Sequence, residues 1–189
     1  MLQKPAESST KLSDLIANRW SPRVFNSAHN LTEDELTRLQ EAARWAPSAN
    51  NSQPWKFAFV TREHPKRQEL IENLSGFNQN WAPNASVLIV SLASKKRMDG
   101  TDADQAASFF NNGLATSQIV FEAESMGLKA HYMTGISFEG ITELFDLTDH
   151  WVVCVLAVGQ QADIEGVSQE LRERETSPRS RKPLSEILL

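Results

Sequence analysis

Residues 47–55 read Pro47-Ser48-Ala49-Asn50-Asn51-Ser52-Gln53-Pro54-Trp55, between an amphipathic helical pattern and a hydrophobic strand pattern. Pro47 stops the helix, and Pro54 biases Gln53 toward an extended conformation. The hydroxyls and carboxamides between the two prolines satisfy backbone groups in turns, and those left over can bond a planar polar ligand. A well-capped surface turn would use the same letters, so the rest of the chain decides between the two readings.

On the upstream side, Thr32 and Glu35 form a capping box, and Leu36, Leu39, Ala43 and Ala46 follow at helical spacing. On the downstream side, Trp55, Phe57, Phe59 and Thr61 alternate with Lys56, Ala58 and Val60, which predicts a strand covered unequally on its two faces. Nearer the N-terminus, a helix starting at Lys11 or Ser13 carries Leu12, Leu15 and Ile16 on one face and ends in Asn18-Arg19-Trp20-Ser21-Pro22-Arg23. Two arginines around a serine and a proline-fixed turn have the chemistry to hold a dianionic phosphate, although such pairs are often simply solvated.

Further along, Pro65 opens a helix with Leu70, Ile71 and Leu74 inward, and residues 76–85 read as irregular. Ser86 to Leu92 is a nearly continuous apolar run, the pattern of a central strand. Asp102 caps a long helix to Met126, with Gly127 as its stop. Its stripe of Ala106, Phe110, Leu114, Ser117 and Phe121, with Ala107, Gly113 and Val120 beyond it, predicts wide burial. Leu128 to Thr134 is a strand running into Gly135, and a Ser137-capped helix through Ile141, Leu144 and Phe145 follows, so the turn presents free N–H groups. Trp151 to Val158 is the last buried strand, followed by a polar stretch that predicts a loop or exposed helical turn. Arg179, Arg181 and Lys182 read as a basic tail on a solvated surface, and Ile187-Leu188-Leu189 calls for a docking surface. His64 reads as an exposed cap residue and His131 as a core or edge residue.

A length of 189 residues fits one domain, here residues 11–189 behind a flexible lead-in of residues 1–10. The net charge of −5 argues for a cytoplasmic protein and against a nucleic-acid partner. Cys154 is alone, which excludes an internal disulfide and a multi-cysteine zinc site. No apolar run reaches the length of a membrane span, and no dinucleotide fingerprint, Walker loop, zinc-protease motif or catalytic-triad order is present.

The pattern P-S-x-x-N-x-Q-P-W resembles the signature of the FMN-dependent nitroreductase family, and other elements fall in that family's order between residues 19 and 183. Arg19, Ser21 and Arg23 match its R-x-S-x-R-x-F element, which implies contacts to the flavin phosphate and ribityl chain. Trp20 stands where relatives often have Arg or His. Pro47, Ser48, Asn51 and Gln53 match the corner that meets the ring, and Asn78 matches an Asn at its polar edge. Trp81 falls near a slot where some relatives place a Lys facing that edge. Tyr132, Met133, Thr134 and Gly135 match the turn whose backbone lies on the isoalloxazine, with the Thr134 backbone near N5. Arg179 and Arg181 match the C-terminal pair that closes over the phosphate.

The resemblance implies an α+β fold with a central mixed, mainly antiparallel sheet flanked by helices, assembled as an intertwined homodimer with FMN at the interface. It implies an oxidoreductase that passes hydride or electrons from NADH or NADPH, in ping-pong order, to a small electron-poor acceptor such as a nitroaromatic or quinone. The chemistry is then the cofactor's, and no side-chain nucleophile or base is required. The alternative is a flavin-binding sensor or chaperone of low turnover, which Trp81 in the Lys slot would favour.

Overall fold

The computed structural model describes all 189 residues, Met1 to Leu189. Four strands, β1 (Trp55–Thr61), β2 (Val87–Ser94), β3 (Lys129–Met133) and β4 (His150–Gly159), form one sheet in the order β1-β2-β4-β3. Every pairing is antiparallel, from Trp55 opposite Ala93 to Lys129 opposite Gly159. Helices cover it: α1 (Asp14–Asn18), α2 (Glu33–Arg44), α3 (Arg67–Glu72), α4 (Asn78–Trp81), α5 (Gln105–Ser125), α6 (Phe138–Leu144) and α7 (Gln169–Thr176). This is the expected α+β arrangement, with a wholly antiparallel sheet in place of the expected mixed, mainly antiparallel one. No helix is long and apolar enough to cross a membrane.

Side chains alternate across a strand, so the central strands feed two cores. On one face Val60, Leu88, Val90 and Val155 pack with Leu70 of α3, Trp81 of α4 and Ile141 of α6. On the other, Val87, Ile89, Leu156 and Val158 pack with Leu39 and Ala43 of α2 and with Ile119 and Ala123 of α5. Cys154 is buried in this second core, where desolvation pushes its thiol up to about 12, as expected of a structural cysteine.

Local sequence accounts for most element ends. Both halves of the Thr32/Glu35 capping box are made. The α5 start differs from expectation: the Asp104 side chain accepts from the Ala107 N–H at 2.8 Å, while Asp102 pairs with Lys96 at 2.6 Å. Helix α3 begins at Arg67 rather than Pro65, because His64 Nδ1 accepts from the Lys66 N–H and holds 64–66 as a turn. Residues 78–84, expected to be irregular, form α4 and a 3-10 turn over Ala82–Asn84. Helix α1 is one turn long, and Leu15 and Ile16 are 40% and 48% exposed rather than packed.

The largest correction concerns the face of α5. Its inward side carries Ser108, Asn111, Asn112 and Thr116 beside Ala115, Ile119 and Ala123. Asn112 Nδ2 donates to the Leu92 carbonyl at 2.9 Å and Ser91 Oγ donates to Asn112 Oδ1 at 2.7 Å, so the buried amide is satisfied against β2. The apolar stripe through Ala106, Phe110, Leu114 and Phe121 therefore points away from the sheet, with Phe110 67% exposed.

Two arginines staple the sheet edge to the α4 region. Arg62 donates to the carbonyls of Asn26, His29, Pro83 and Asn84, and the buried Arg67 donates to those of Val60, Pro83 and Ala85. Burial lowers the Arg67 pKa to about 10, still far above neutrality, and no carboxylate bonds it. Arg67→Met would keep the stem but take the guanidinium from the Val60 and Ala85 carbonyls, leaving that of Pro83 to Arg62. A loss of about 2–4 kcal/mol in denaturant unfolding is expected, and a loss below about 1 kcal/mol would show that water replaces the guanidinium.

Residues 1–10 form no helix or strand, yet they are fastened at several points. The Ala6 N–H donates to the Ala17 carbonyl at 2.8 Å, Gln161 Nε2 donates to the Leu2 carbonyl at 3.0 Å, and the Met1 ammonium pairs with Asp163.

Candidate functional site

Arg19 closes α1, and the turn behind it is set by β3. His131 Nδ1 lies 3.0 Å from both the Ser21 and the Pro22 carbonyl oxygens, so it carries the proton and donates to the pair. Burial, then the charge of Arg23, lowers the His131 pKa to about 4, and the ring is neutral at neutral pH, tilted on Trp81 at 4.6 Å. Arg19 Nη1 donates to Ser21 Oγ at 3.3 Å. The chain then returns after α7: Arg179 Nη1 donates to the Lys4 and Ala17 carbonyls, and Arg181 lies close enough to act on the charges of both Arg19 and Arg179. Burial first and these like charges second lower the pKa of Arg19 and Arg179. None of Arg19, Arg23, Arg179 and Arg181 is in a salt bridge. The nearest carboxylate to act on Arg19 and Arg179 is Glu124, which is already paired with Lys129, so the cluster keeps an excess of positive charge that an anion would complete.

Arg23 sits at the rim of this cluster. Its neighbours in charge are Glu175 and Arg174, and its backbone N–H is held by Glu175. Trp20 is 4% exposed with the Lys4 ammonium 4.6 Å over its ring, so its side chain packs behind the cluster and does not line it. Tyr132 shares β3 with His131 and is half-exposed; burial pushes its hydroxyl up to about 12. Met133 is 2% exposed and belongs to the core, which leaves only its backbone for a ligand.

Beyond β3 the chain enters the turn at Gly135. The Gly135 carbonyl accepts from the Ser75 N–H at 2.9 Å and from Asn78 Nδ2 at 3.1 Å, which ties α4 to the turn. A Cβ on Gly135 would lie 3.1 Å from that same Asn78 nitrogen, so the close approach favours glycine. Neither Thr134 nor Gly135 donates its N–H within the chain, and both residues are exposed. Trp81 is fully buried and stacks on Phe25, so it is a core residue and not a replacement at a ligand's edge. The case for a low-turnover sensor that rested on Trp81 falls with that placement.

The corner at residues 47–55 is strained. Asn50, Asn51 and Gln53 have φ of 52°, 52° and 46°, in the left-handed region that costs a non-glycine residue about 1 kcal/mol or more. Local bonds hold it: Ser48 Oγ accepts from the Gln53 N–H at 3.0 Å, and Gln53 Nε2 donates to the Asn51 carbonyl and side chain at 3.1 Å. Asn111 of α5 anchors it from inside, accepting from the Ala49 N–H at 2.9 Å. Pro47, Asn51 and Gln53 are exposed, and Ser48 is half-buried.

Within one chain the corner does not meet the basic cluster. The corner leads into β1 and the cluster borders β3, at opposite edges of the sheet. Three interstrand steps separate these edges by roughly 14 Å before any offset along the strands. Arg19, Ser21, Arg179 and Arg181 are brought together, and Asn78 joins the Gly135 turn at the end of β3. Pro47, Ser48, Asn51 and Gln53 form a separate group against α5, beside the exposed Phe110. An open groove of about 590 Å³ lies between α5, α6 and the start of β4, lined in part by Phe109, Phe138, His150 and Trp151.

Comparison with known proteins fits this geometry. A profile of the nitroreductase family matches residues 16–74 and 62–160. The chain is 26% identical over 208 residues to the oxygen-insensitive NADPH nitroreductase of Helicobacter acinonychis, covering 92% of this chain and 93% of the relative. It is 28% identical over 205 residues to protein DrgA of Synechocystis sp., covering 93% of each. A crystal structure of an oxidoreductase containing FMN matches with a TM-score of 0.89 and 32% identity, covering 97% of this chain and 93% of that one. By profile, by relatives along nearly its whole length and by fold, the chain belongs to the nitroreductase family.

Proposed function

We propose that the protein is an FMN-dependent NAD(P)H oxidoreductase acting on a small electron-poor acceptor. The observation that carries this reading is the cluster of Arg19, Arg179 and Arg181, with Arg23 at its rim, in which no guanidinium is in a salt bridge and the like charges act on one another. The FMN phosphate is a dianion with oxygens to accept from several guanidinium groups, which suits such a cluster. When bound, FMN would supply the redox chemistry, carrying reducing equivalents from NADH or NADPH to an acceptor such as a nitroaromatic or quinone in ping-pong order.

The residues divide the remaining work. Ser21 hydroxyl and the arginines hold the phosphate end. The free N–H groups at Thr134 and Gly135 would be the donors to the flavin ring, with Asn78 beside them. Asn51 and Gln53 offer carboxamides for the rest of that edge. Because the corner lies across the sheet from the cluster, the site is completed by a second copy of the chain, whose corner meets this chain's Gly135 turn. The outward apolar stripe of α5, adjacent to the corner, is the face on which two copies associate.

An anaerobic absorbance titration of the purified protein with NADH and with NADPH tests this. A yellow protein bleached by one or both, and reoxidised by menadione or a nitrobenzene, is the expected result. A flavin that neither nucleotide bleaches would point to a sensor, and failure to bind added FMN would overturn the reading.

A further inference from the structure

Glu175 is a carboxylate with no exposed surface, near the end of a helix that is otherwise mostly polar and exposed. Its oxygens accept from the Arg23 N–H at 2.9 and 3.2 Å and from the Val24 N–H at 3.4 Å. The same short stretch of chain is gripped from its other side by His131, on the Ser21 and Pro22 carbonyls. Above Glu175, Lys4 Nζ donates to the Glu175 and Ser177 carbonyls at 3.0 and 2.5 Å, and the Lys4 carbonyl accepts from Arg179. One buried carboxylate thus stands where the 19–23 turn, the N-terminal strap and the segment leading to Arg179 and Arg181 converge. Burying a charged group is strongly unfavourable unless its bonds are made, and here they are spent on orienting backbone rather than on neutralising a guanidinium.

We propose that Glu175 is the positioning residue of the phosphate cradle, fixing from below the turn that carries Arg19, Ser21 and Arg23, with Lys4 locking that turn to the Arg179 segment. The inference rests on the reading of the basic cluster as the FMN phosphate site. Desolvation raises the Glu175 pKa, opposed by the amides of Arg23 and Val24 and by the charges of Arg23 and Lys4, so the carboxylate is held by the same groups it orients. A purely electrostatic role predicts the opposite effect on a ligand. Deleting a negative charge near a phosphate site would strengthen phosphate binding, whereas releasing the turn would weaken it.

The test compares FMN with riboflavin, which lacks the phosphate, by quenching of flavin fluorescence on the full chain. In Glu175→Gln, which keeps one acceptor oxygen but sets an amide NH2 where the other accepted, FMN affinity is expected to fall about tenfold or more with riboflavin changed less than about twofold. Glu175→Asp should restore part of the FMN preference. Lys4→Met removes the donor to the Glu175 and Ser177 carbonyls but leaves the Glu175 carboxylate bonded to the Arg23 and Val24 N–H groups. It should lower FMN affinity about threefold with the melting temperature little changed, and it decides the matter if Glu175→Gln does not fold. Unchanged or tighter FMN binding in a folded Glu175→Gln, or in Lys4→Met, overturns the role of Glu175. A native protein that binds FMN no better than riboflavin overturns the phosphate-site reading itself, which is a distinct result.

Discussion

Arg19→Ala combined with Arg181→Ala is expected to weaken FMN binding by at least about a hundredfold while leaving the apoprotein as stable as before. Each guanidinium bonded to a phosphate dianion contributes about 1.5–3 kcal/mol, so the pair contributes about 3–6 kcal/mol, or two to four orders of magnitude in affinity. The folded chain loses little in exchange. Arg181 is exposed and bonds only the adjacent Ser180 carbonyl, and Arg19 bonds only Ser21 Oγ among its own side-chain partners. The two charges also act on each other unfavourably, so removing both relieves repulsion in the apoprotein. Fluorescence titration with FMN alongside thermal melting of the apoprotein measures both halves. Affinity within about threefold of the native value would mean that the phosphate binds elsewhere.

Much of the fold was legible because the signals were local. The Thr32/Glu35 box, the Ser137 cap and the alternation from Trp55 to Thr61 each depend on residues a few positions apart, and each is realised. The α5 helix shows where local reading stops. Periodicity found its apolar stripe, but the inward face is decided by Asn112 and Ser108 finding partners on β2, a contact across 14 to 21 positions that composition does not reveal. A polar side chain satisfied inside the protein is invisible to a rule that equates polar with outward.

The site divides along the same line. Arg19, Ser21, Arg179 and Arg181 were named from motif letters, and their juxtaposition required the chain to return after α7 to the end of α1. Glu175 and Lys4 carried no readable signal: one lies in a charged, helix-forming run with many solvated glutamates, the other in a stretch without periodicity. Their contacts span 152 and 171 positions. Trp81 was placed by the slot it fills in the resembled family, whereas a single helical turn directs the indole into the core.

Gly113→Glu is the substitution with the largest expected consequence, because the chain that carries it has no reason to object. Gly113 is exposed on α5, and an added Cβ there would meet nothing within 4 Å. Replacing a mid-helix glycine should favour the helix by roughly 0.5–1 kcal/mol in an isolated chain. If the stripe of Phe110, Gly113 and Leu114 is the face shared by two copies, the same change buries a carboxylate at the interface. An unpaired buried charge costs several kcal/mol, enough to separate the copies at micromolar concentration. The cluster of one chain and the corner of the other would then part, and FMN should be lost with the partner even though no residue proposed to touch it has changed. Light scattering after size exclusion should give 21.2 kDa for the variant, its far-UV circular dichroism should be native-like, and it should be colourless. A variant that keeps a native dimer mass and its flavin would place the interface elsewhere. One that becomes a monomer yet keeps FMN would mean that a single chain suffices, despite the width of sheet between the corner and the arginines.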